Sequence, residues 1–271
     1  ARPRPCELER DTPYAGLDPD LILDAVAEAG FEPDGRMLAL GSYENRVYQV
    51  GIEGAPALVV KFYRPGRWSD AAIAEEHAFA LELATAELPV VAPLLIEGRS
   101  LFALDGFRYS LYPRQGGREP ELESKQNLEW MGRLLARIHG GGSRATFTQR
   151  GRIDVQTFLR DPSREVLDST LLPTQLHSRY RKLVDGLAQR IDRRFADCAP
   201  LRQIRLHGDC HRGNVLWTDA GPHFVDLDDA RMGPAVQDLW MLAPSAQALD
   251  SLLEGYAEFR DFDHGELALI E

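Results

Sequence analysis

Lysine is scarce in this chain. Three of its 271 residues are lysine, Lys61, Lys125 and Lys182, and arginine supplies the rest of the basic charge. Lys61 is therefore alone in the first 124 positions, which suggests a task that needs a compact ammonium rather than a planar guanidinium. Cysteine is as scarce. Cys6, Cys198 and Cys210 are odd in number and far apart, which argues against a disulfide framework and for reduced thiols in a cytoplasmic protein. Long apolar runs are missing: none approaches the ~20 residues of a membrane span. The start, Ala1-Arg2-Pro3-Arg4-Pro5, lacks the apolar stretch of a secretory signal. Positive charge is in deficit, the net charge being −11. Non-specific binding to nucleic acid or to a membrane surface needs a basic patch, so neither partner is expected. There is no initiator Met, and the chain stops in Glu266-Leu267-Ala268-Leu269-Ile270-Glu271, the pattern of a helix just beginning. The natural protein is thus expected to be longer.

What is present suffices for a sizeable core. Hydrophobic residues make up 44% of the chain, and the length allows one large domain or two lobes. Residues 1–17 are expected to be a loose, Pro- and Arg-rich segment. Residues 18–112 read as a small lobe. A helix capped by Asp18 or Asp20 runs to about Ala29 and is closed by Gly30. Short runs follow at Met37–Leu40, Arg46–Ile52, Leu58–Tyr63, Leu94–Glu97 and Phe107–Tyr112, punctuated by Gly, Pro and Asp, which predicts a five-stranded antiparallel meander. One helix interrupts it at about residues 70–87, with Ser69 as N-cap and Ile73, Ala80, Leu83 and Ala84 facing inward. Residues 113–271 read as a mostly helical lobe. Leu128, Met131, Leu135 and Ile138 recur at helical spacing up to His139, where three glycines are expected to stop the helix. A second long helix over about Thr174–Phe195 is expected to bury Leu176, Tyr180, Leu183, Leu187 and Ile191. Short strands at Ile204–Leu206, Val215–Trp217 and His223–Val225 flank the stretch His207–Asn214. The fold class is α+β in two lobes.

The chemistry-bearing residues suggest phosphoryl transfer, which needs a cation on the phosphates, a metal clamp and a carboxylate to orient the attacking hydroxyl. Lys61 closes the buried strand Ala57-Leu58-Val59-Val60-Lys61-Phe62-Tyr63, and a helix carrying Glu75 and Glu76 follows. Glu76 fits an inward-facing partner for Lys61 better, because Phe79, Ala80 and Leu83 lie three, four and seven residues on. Asp209 and Asn214 are five apart, the spacing that lets one loop aim a carboxylate at an acceptor and an amide oxygen at Mg²⁺. Asp226 ends a strand twelve residues later, where it can meet the same metal. His207, Cys210 and His211 include the residue types of a zinc site, but no second Cys/His pair lies within finger spacing. Cys210 reads as a small packing residue, and a redox-sensitive thiol there stays open. His139 reads as structural. Between Asp226 and Asp238 there is no Ser, Thr or Tyr, so no activation loop switched by phosphorylation is expected.

Several segments carry a family resemblance: Asn45-Arg46-Val47-Tyr48, Val60-Lys61-Phe62-Tyr63-Arg64-Pro65, His207-Gly208-Asp209-Cys210-His211 and Phe224-Val225-Asp226-Leu227-Asp228-Asp229-Ala230-Arg231. They resemble the bacterial stress response kinase A family, in the aminoglycoside-phosphotransferase and choline-kinase branch of the protein-kinase-like fold. The resemblance spans about residues 18–271. It implies a cytoplasmic kinase of protein Ser/Thr that uses ATP and Mg²⁺. Asp209 is then the catalytic base, Asn214 and Asp226 are metal ligands, and Asp226 also counts among the catalytic residues. Lys61 binds phosphate with Glu76 beside it, Ser42 lies in the loop over the nucleotide, and Asp238 holds the backbone of the catalytic loop. The hinge for adenine is assigned to Tyr109-Ser110-Leu111-Tyr112, with Ser110 and Tyr112 as contacts, and ATP–Mg²⁺ in the cleft. The chain departs from the family in two respects: Leu242–Tyr256 is a few residues short, and the usual C-terminal helices are absent. The phosphate loop Leu40–Val47 also has one glycine where protein kinases have three. A small-molecule phosphotransferase for an aminoglycoside, choline or amino alcohol is the alternative, with Asp228 and Asp229 suited to a cationic acceptor. A nucleotide-holding pseudokinase is the non-enzymatic alternative, against which the intact set of Lys61, Asp209, Asn214 and Asp226 argues. A monomer is expected.

Overall fold

The computed structural model describes residues 13–270; Cys6 and the first twelve positions of the expected loose segment lie outside them. The chain divides into two compact units. One consists of the described residues up to Leu81 together with Val91–Gly116, the other of Glu82–Val90 and the described residues from Gly117 onward. The division after Gly116 lies a few residues beyond the boundary expected at Pro113.

The first unit is an antiparallel sheet with two helices. Helix α1 (Pro19–Glu28) begins at Asp18, whose carboxylate accepts from the Leu21 amide, satisfying one of the open donors of the first turn. Strands β1 (Pro33–Leu40), β2 (Arg46–Ile52) and β3 (Ala55–Phe62) form a meander. Helix α2 (Asp70–Thr85) starts where Ser69 Oγ accepts from the Ala72 amide at 3.1 Å. Strands β4 (Phe102–Leu104) and β5 (Phe107–Pro113) complete the sheet in the order β1-β2-β3-β5-β4. Leu58, Val60 and Phe62 of β3 alternate onto one face and pack with Ile22, Ala25 and Val26 of α1. By the same alternation Lys61 faces the other way. The strand expected at Leu94–Glu97 is corrected. That stretch gives only a backbone bond from Leu94 to Leu111 and a turn at Ile96–Arg99, and the fifth strand is β4, joined to β5 through Asp105-Gly106.

The second unit is mainly helical. Helix α3 (Lys125–Gly142) packs on α7 (Ala246–Ala257). A Cβ on Gly132 would collide with the Leu252 carbonyl, and one on Gly255 with the Glu129 carbonyl, so the two backbones approach at glycines. The triplet Gly140–Gly142 does not stop α3 at His139 as expected; the helix runs through it. The physical reason is close packing: a Cβ on Gly142 would strike the Arg205 carbonyl, and one on Gly141 a Leu83 methyl. Helix α4 (Asp161–Asp168) and helix α5 (His177–Asp197) follow. The expected burial of the α5 leucines is also corrected. Leu176, Leu183 and Leu187 are exposed and Ala188 is the buried residue of that helix. Helical spacing defines an apolar face but not a neighbour that covers it. Strand β6 (Ile204–Leu206) leads to the loop of interest. Strands β7 (Val215–Thr218) and β8 (Gly221–Phe224) form a hairpin, and β9 (Arg231–Gly233) returns to pair with β6. Helix α6 (Val236–Leu242) connects to α7, which Ser245 caps. No helix among the described residues is long and apolar enough to cross a membrane.

Candidate active site

In the first unit the site is built around Lys61. Its strand pairs with β2 on one side and β5 on the other, which sets Lys61 opposite Val47 and Ser110. Lys61 is 5% exposed and Glu76 of α2 is 2% exposed, whereas Glu75 is half-buried. An ammonium and a carboxylate out of water cost several kcal/mol unless other charges or hydrogen bonds compensate. Both bear on the Tyr63 phenol. Burial raises its ionisation well above the usual range, the Glu76 charge raises it further, and the Lys61 charge opposes. The Lys61 ammonium lies 5.1 Å from the centre of the Tyr63 ring, a distance for cation–π attraction. The glutamate favoured by spacing is thus the buried one.

The same face holds a polar chain absent from the sequence expectations. The Tyr63 hydroxyl lies 2.7 Å from His77 Nε2 and 3.2 Å from the Tyr112 hydroxyl, and His77 Nδ1 lies 2.8 Å from Ser100 Oγ. Ser110 Oγ approaches His77 Nε2 at 3.4 Å. Ser110 is fully buried and its backbone is in register with Lys61. Its side chain therefore meets His77 of α2, and the hydroxyl of Tyr112 joins the same chain. The signal for His77 was its place beside Glu76, one step round the helix. Nothing in its residue type separated it from a solvated histidine.

The loop between β1 and β2 is ordered by its own side chains. Ser42 Oγ accepts from the Asn45 amide at 3.3 Å, and the buried Asn45 accepts from the Arg64 amide at 3.1 Å through Oδ1. Such side-chain turns hold a loop without several glycines. A Cβ on Gly41 would meet nothing within 4 Å, so space lies open over this glycine.

In the second unit the site grows from Asp238. This carboxylate is fully buried. It accepts from the amides of His207 and Gly208 at 2.9 Å each and from His139 Nε2 at 3.1 Å. Burial pushes its carboxyl up, but the hydrogen bond and charge of His139, with His207 and the Gly208 amide, outweigh burial and hold it below the usual range. With Nε2 donating, His139 Nδ1 accepts from the Tyr256 hydroxyl at 2.9 Å. Asp238 thus fixes the backbone that leads to Asp209. His207 ties that loop to the next strand, its Nε2 lying 2.9 Å from the Val225 carbonyl.

Asn214 is aligned by Asp209. Its amide nitrogen donates to the Asp209 carbonyl at 2.9 Å and to Oδ2 at 3.3 Å, which leaves the amide oxygen to face elsewhere. His211 Nδ1 accepts from the Gly213 amide at 3.0 Å, so the neutral ring carries its proton on Nε2, 3.5 Å from Asp209 Oδ2. Asp226 follows the residue opposite Asn214 across the hairpin, since the Val225 amide donates to the Asn214 carbonyl at 3.0 Å. Asp226 has φ 60° and ψ 66°, a left-handed conformation that costs a non-glycine residue about 1 kcal/mol or more and recurs at functional positions. An amide oxygen and a carboxylate at one end of a hairpin are hard donors of the kind Mg²⁺ takes with waters and phosphates. Among the described residues no group of three or more His, Cys, Asp or Glu is placed to hold a metal. Cys210 is fully buried. Burial first, then the charges of Asp238 and Asp209, push its thiol well up, which makes it a packing residue and a poor nucleophile.

A sequence model described as the phosphotransferase enzyme family matches residues 37–270. Stress response kinase A of Escherichia coli (strain K12) is 44% identical over 263 residues, covering 95% of this chain and 79% of that protein. The chain belongs to the stress response kinase A family. A second relative at 45% identity over 265 residues, covering 95% of this chain and 79% of the relative, is the serine/threonine protein kinase RdoA of Salmonella typhimurium (strain LT2). In fold, the chain is similar to amicoumacin kinase solved with AMP-PNP and Ca²⁺, with a TM-score of 0.73 at 19% identity over 92% of this chain and 80% of that one. As a member of the stress response kinase A family, the protein is a phosphotransferase with the kinase-like α+β fold.

Within that family frame, two side chains that no sequence feature singles out support the loops. Arg150 donates from Nε to the Ala230 carbonyl at 2.6 Å and from Nη2 to the Asp228 carbonyl. Glu266 accepts from the Val236 amide at 2.9 Å, at the start of the helix that carries Asp238. Neither lies on a periodic stretch or in a motif, so no pattern along the chain marks it.

Proposed function

We propose that the protein transfers the γ-phosphoryl of ATP to Ser/Thr hydroxyls of protein substrates in a stress response, with Mg²⁺ as the metal. One observation carries this reading: at the open end of the β7–β8 hairpin the Val225 amide donates to the Asn214 carbonyl at 3.0 Å, so that Asp226 follows the residue opposite Asn214, while the Asn214 amide nitrogen donates to Asp209. Bound there, Mg²⁺ would offset charge on the phosphates. The Asn214 oxygen and the Asp226 carboxylate would hold it. Lys61, kept on its strand with Glu76 nearby, gives phosphate a compact cation, and Ser42 lies in the loop over the nucleotide. The Asp209 carboxylate orients the acceptor hydroxyl and takes its proton. Ser110 and Tyr112 belong to the adenine hinge, and their hydroxyls also contact His77 and Tyr63. The protein acceptor is supported by the name of the relative from Salmonella typhimurium.

A small-molecule acceptor is the second reading, favoured by the fold shared with amicoumacin kinase. The two carboxylates that motivated it from sequence weigh against it. Asp228 is 3% exposed, and Asp229 is held by Arg231 at 2.6 Å. The test is incubation with γ-labelled ATP and Mg²⁺, first with the protein alone, then with mixed protein acceptors, then with aminoglycosides, choline and amino alcohols. Label on protein Ser/Thr supports the first reading. Label only on small molecules replaces it with the second, and no label in any arm refutes both.

A further inference from the structure

The turn that follows Asp226 contains no Ser, Thr or Tyr up to Asp238, yet it must be held still for Asp226 to keep its left-handed backbone. In kinases regulated through this region, a phosphate paired with arginine does the holding. We propose that in this protein Arg150 does it permanently, as a positioning residue that grips the backbone after Asp226 and sets the metal-binding geometry. This rests on the assignment of Asp226 as a metal ligand. Arg150 is 3% exposed and comes from the irregular stretch between α3 and α4. Its guanidinium donates to the Asp228 and Ala230 carbonyls from two different nitrogens, a forked contact that lysine cannot reproduce. Adjacent backbone continues the grip. The Met232 amide donates to the Gly151 carbonyl at 3.0 Å, and the Ile153 amide to the Met232 carbonyl at 2.8 Å.

The same turn presses on the catalytic loop. Gly208 has φ 86°, and a Cβ there would collide with the Asp229 carbonyl, the residue between the two carbonyls that Arg150 holds. The glycine of His207-Gly208-Asp209 thus makes room for a backbone that Arg150 fixes. A guanidinium stays protonated at every accessible pH, so this grip has no off state of its own.

The test compares Arg150→Met and Arg150→Lys with the wild type in two measurements. The first is hydrogen–deuterium exchange of the unliganded protein. The second is the Mg²⁺ dependence of nucleotide-analogue binding. In Arg150→Met, exchange at Leu227–Met232 is expected to rise by about tenfold or more, the scale of one charge-assisted hydrogen bond, while α3 and α7 stay protected. The Mg²⁺ concentration for half-maximal binding should rise by a similar factor, and binding without Mg²⁺ should stay within about twofold, since the Asp228 and Ala230 carbonyls that the guanidinium grips belong to the turn after the metal ligand. Arg150→Lys, which keeps the charge but has one donor nitrogen in place of the guanidinium fork, should fall between. Unchanged exchange at Leu227–Met232 in Arg150→Met overturns the proposal. So does general loss of protection in both variants, which would make Arg150 ordinary core support. Asp226→Ala is the control: if it leaves Mg²⁺-dependent binding intact, the metal assignment fails, while the exchange result still decides whether Arg150 holds the turn.

Discussion

Lys61 sits where replacement by the other basic residue should be most damaging. It is nearly buried against the Tyr63 ring, and a guanidinium is larger, planar and fixed in its donor directions. Lys61→Arg is expected to lower the rate of phosphoryl transfer by at least about tenfold, a change of about 1.4 kcal/mol in the barrier, measured at a temperature where the variant is still folded. Turnover kinetics beside a melting curve on the same sample check this; wild-type turnover in the Lys61→Arg enzyme would remove the phosphate-binding role. Lys61 was visible in the sequence because lysine is so rare there. The hinge assignment of Ser110 and Tyr112 used position along the chain and gave no indication of their contacts with His77 and Tyr63. Alternation and register put Ser110 opposite Lys61 on the face covered by His77.

At the scale of elements, the loop that carries Asp209 depends on helix α6. Asp238→Ala removes the acceptor for two amides and for His139. Leaving those donors buried should cost about 3–5 kcal/mol, measured as the loss in urea unfolding free energy. Glu266 gives the same helix a pH signature. Burial raises its carboxyl from the usual 4.5 to about 6, against the opposing Val236 amide. A folded value above the unfolded one means that its contribution to stability is complete below about pH 4.5 and is lost as pH rises through about 6. Subtracting the unfolding curve of Glu266→Gln from that of the wild type should show this loss in that window; a flat difference would contradict it. The strands and helices next to the site were legible from alternation, caps and turn residues. What escaped were matters of contact: the glycines that carry α3 past His139 because β6 is close behind them, the uncovered leucines of α5, and β4, only three residues long.

For the whole molecule, Lys61 and Glu76 belong to the first unit and Asp209, Asn214 and Asp226 to the second, and the proposed function assigns all five to phosphoryl transfer. The order of these residues along the chain was enough to indicate a phosphotransferase. The acceptor was not legible, because no motif outside these residues reports on it. In the proposed reaction Asp209 acts on the acceptor while other residues hold the nucleotide and metal. The direct test is Asp209→Asn, with nucleotide affinity and phosphoryl-transfer rate measured on the same preparation. The substitution keeps the shape and removes the charge. Affinity should stay within a few-fold of wild type, since no contact to nucleotide is assigned to this carboxylate, while transfer should fall by roughly 10²–10⁴-fold, the range of general-base effects. Near-normal transfer would contradict the account, and loss of nucleotide binding would move Asp209 from the acceptor to the metal.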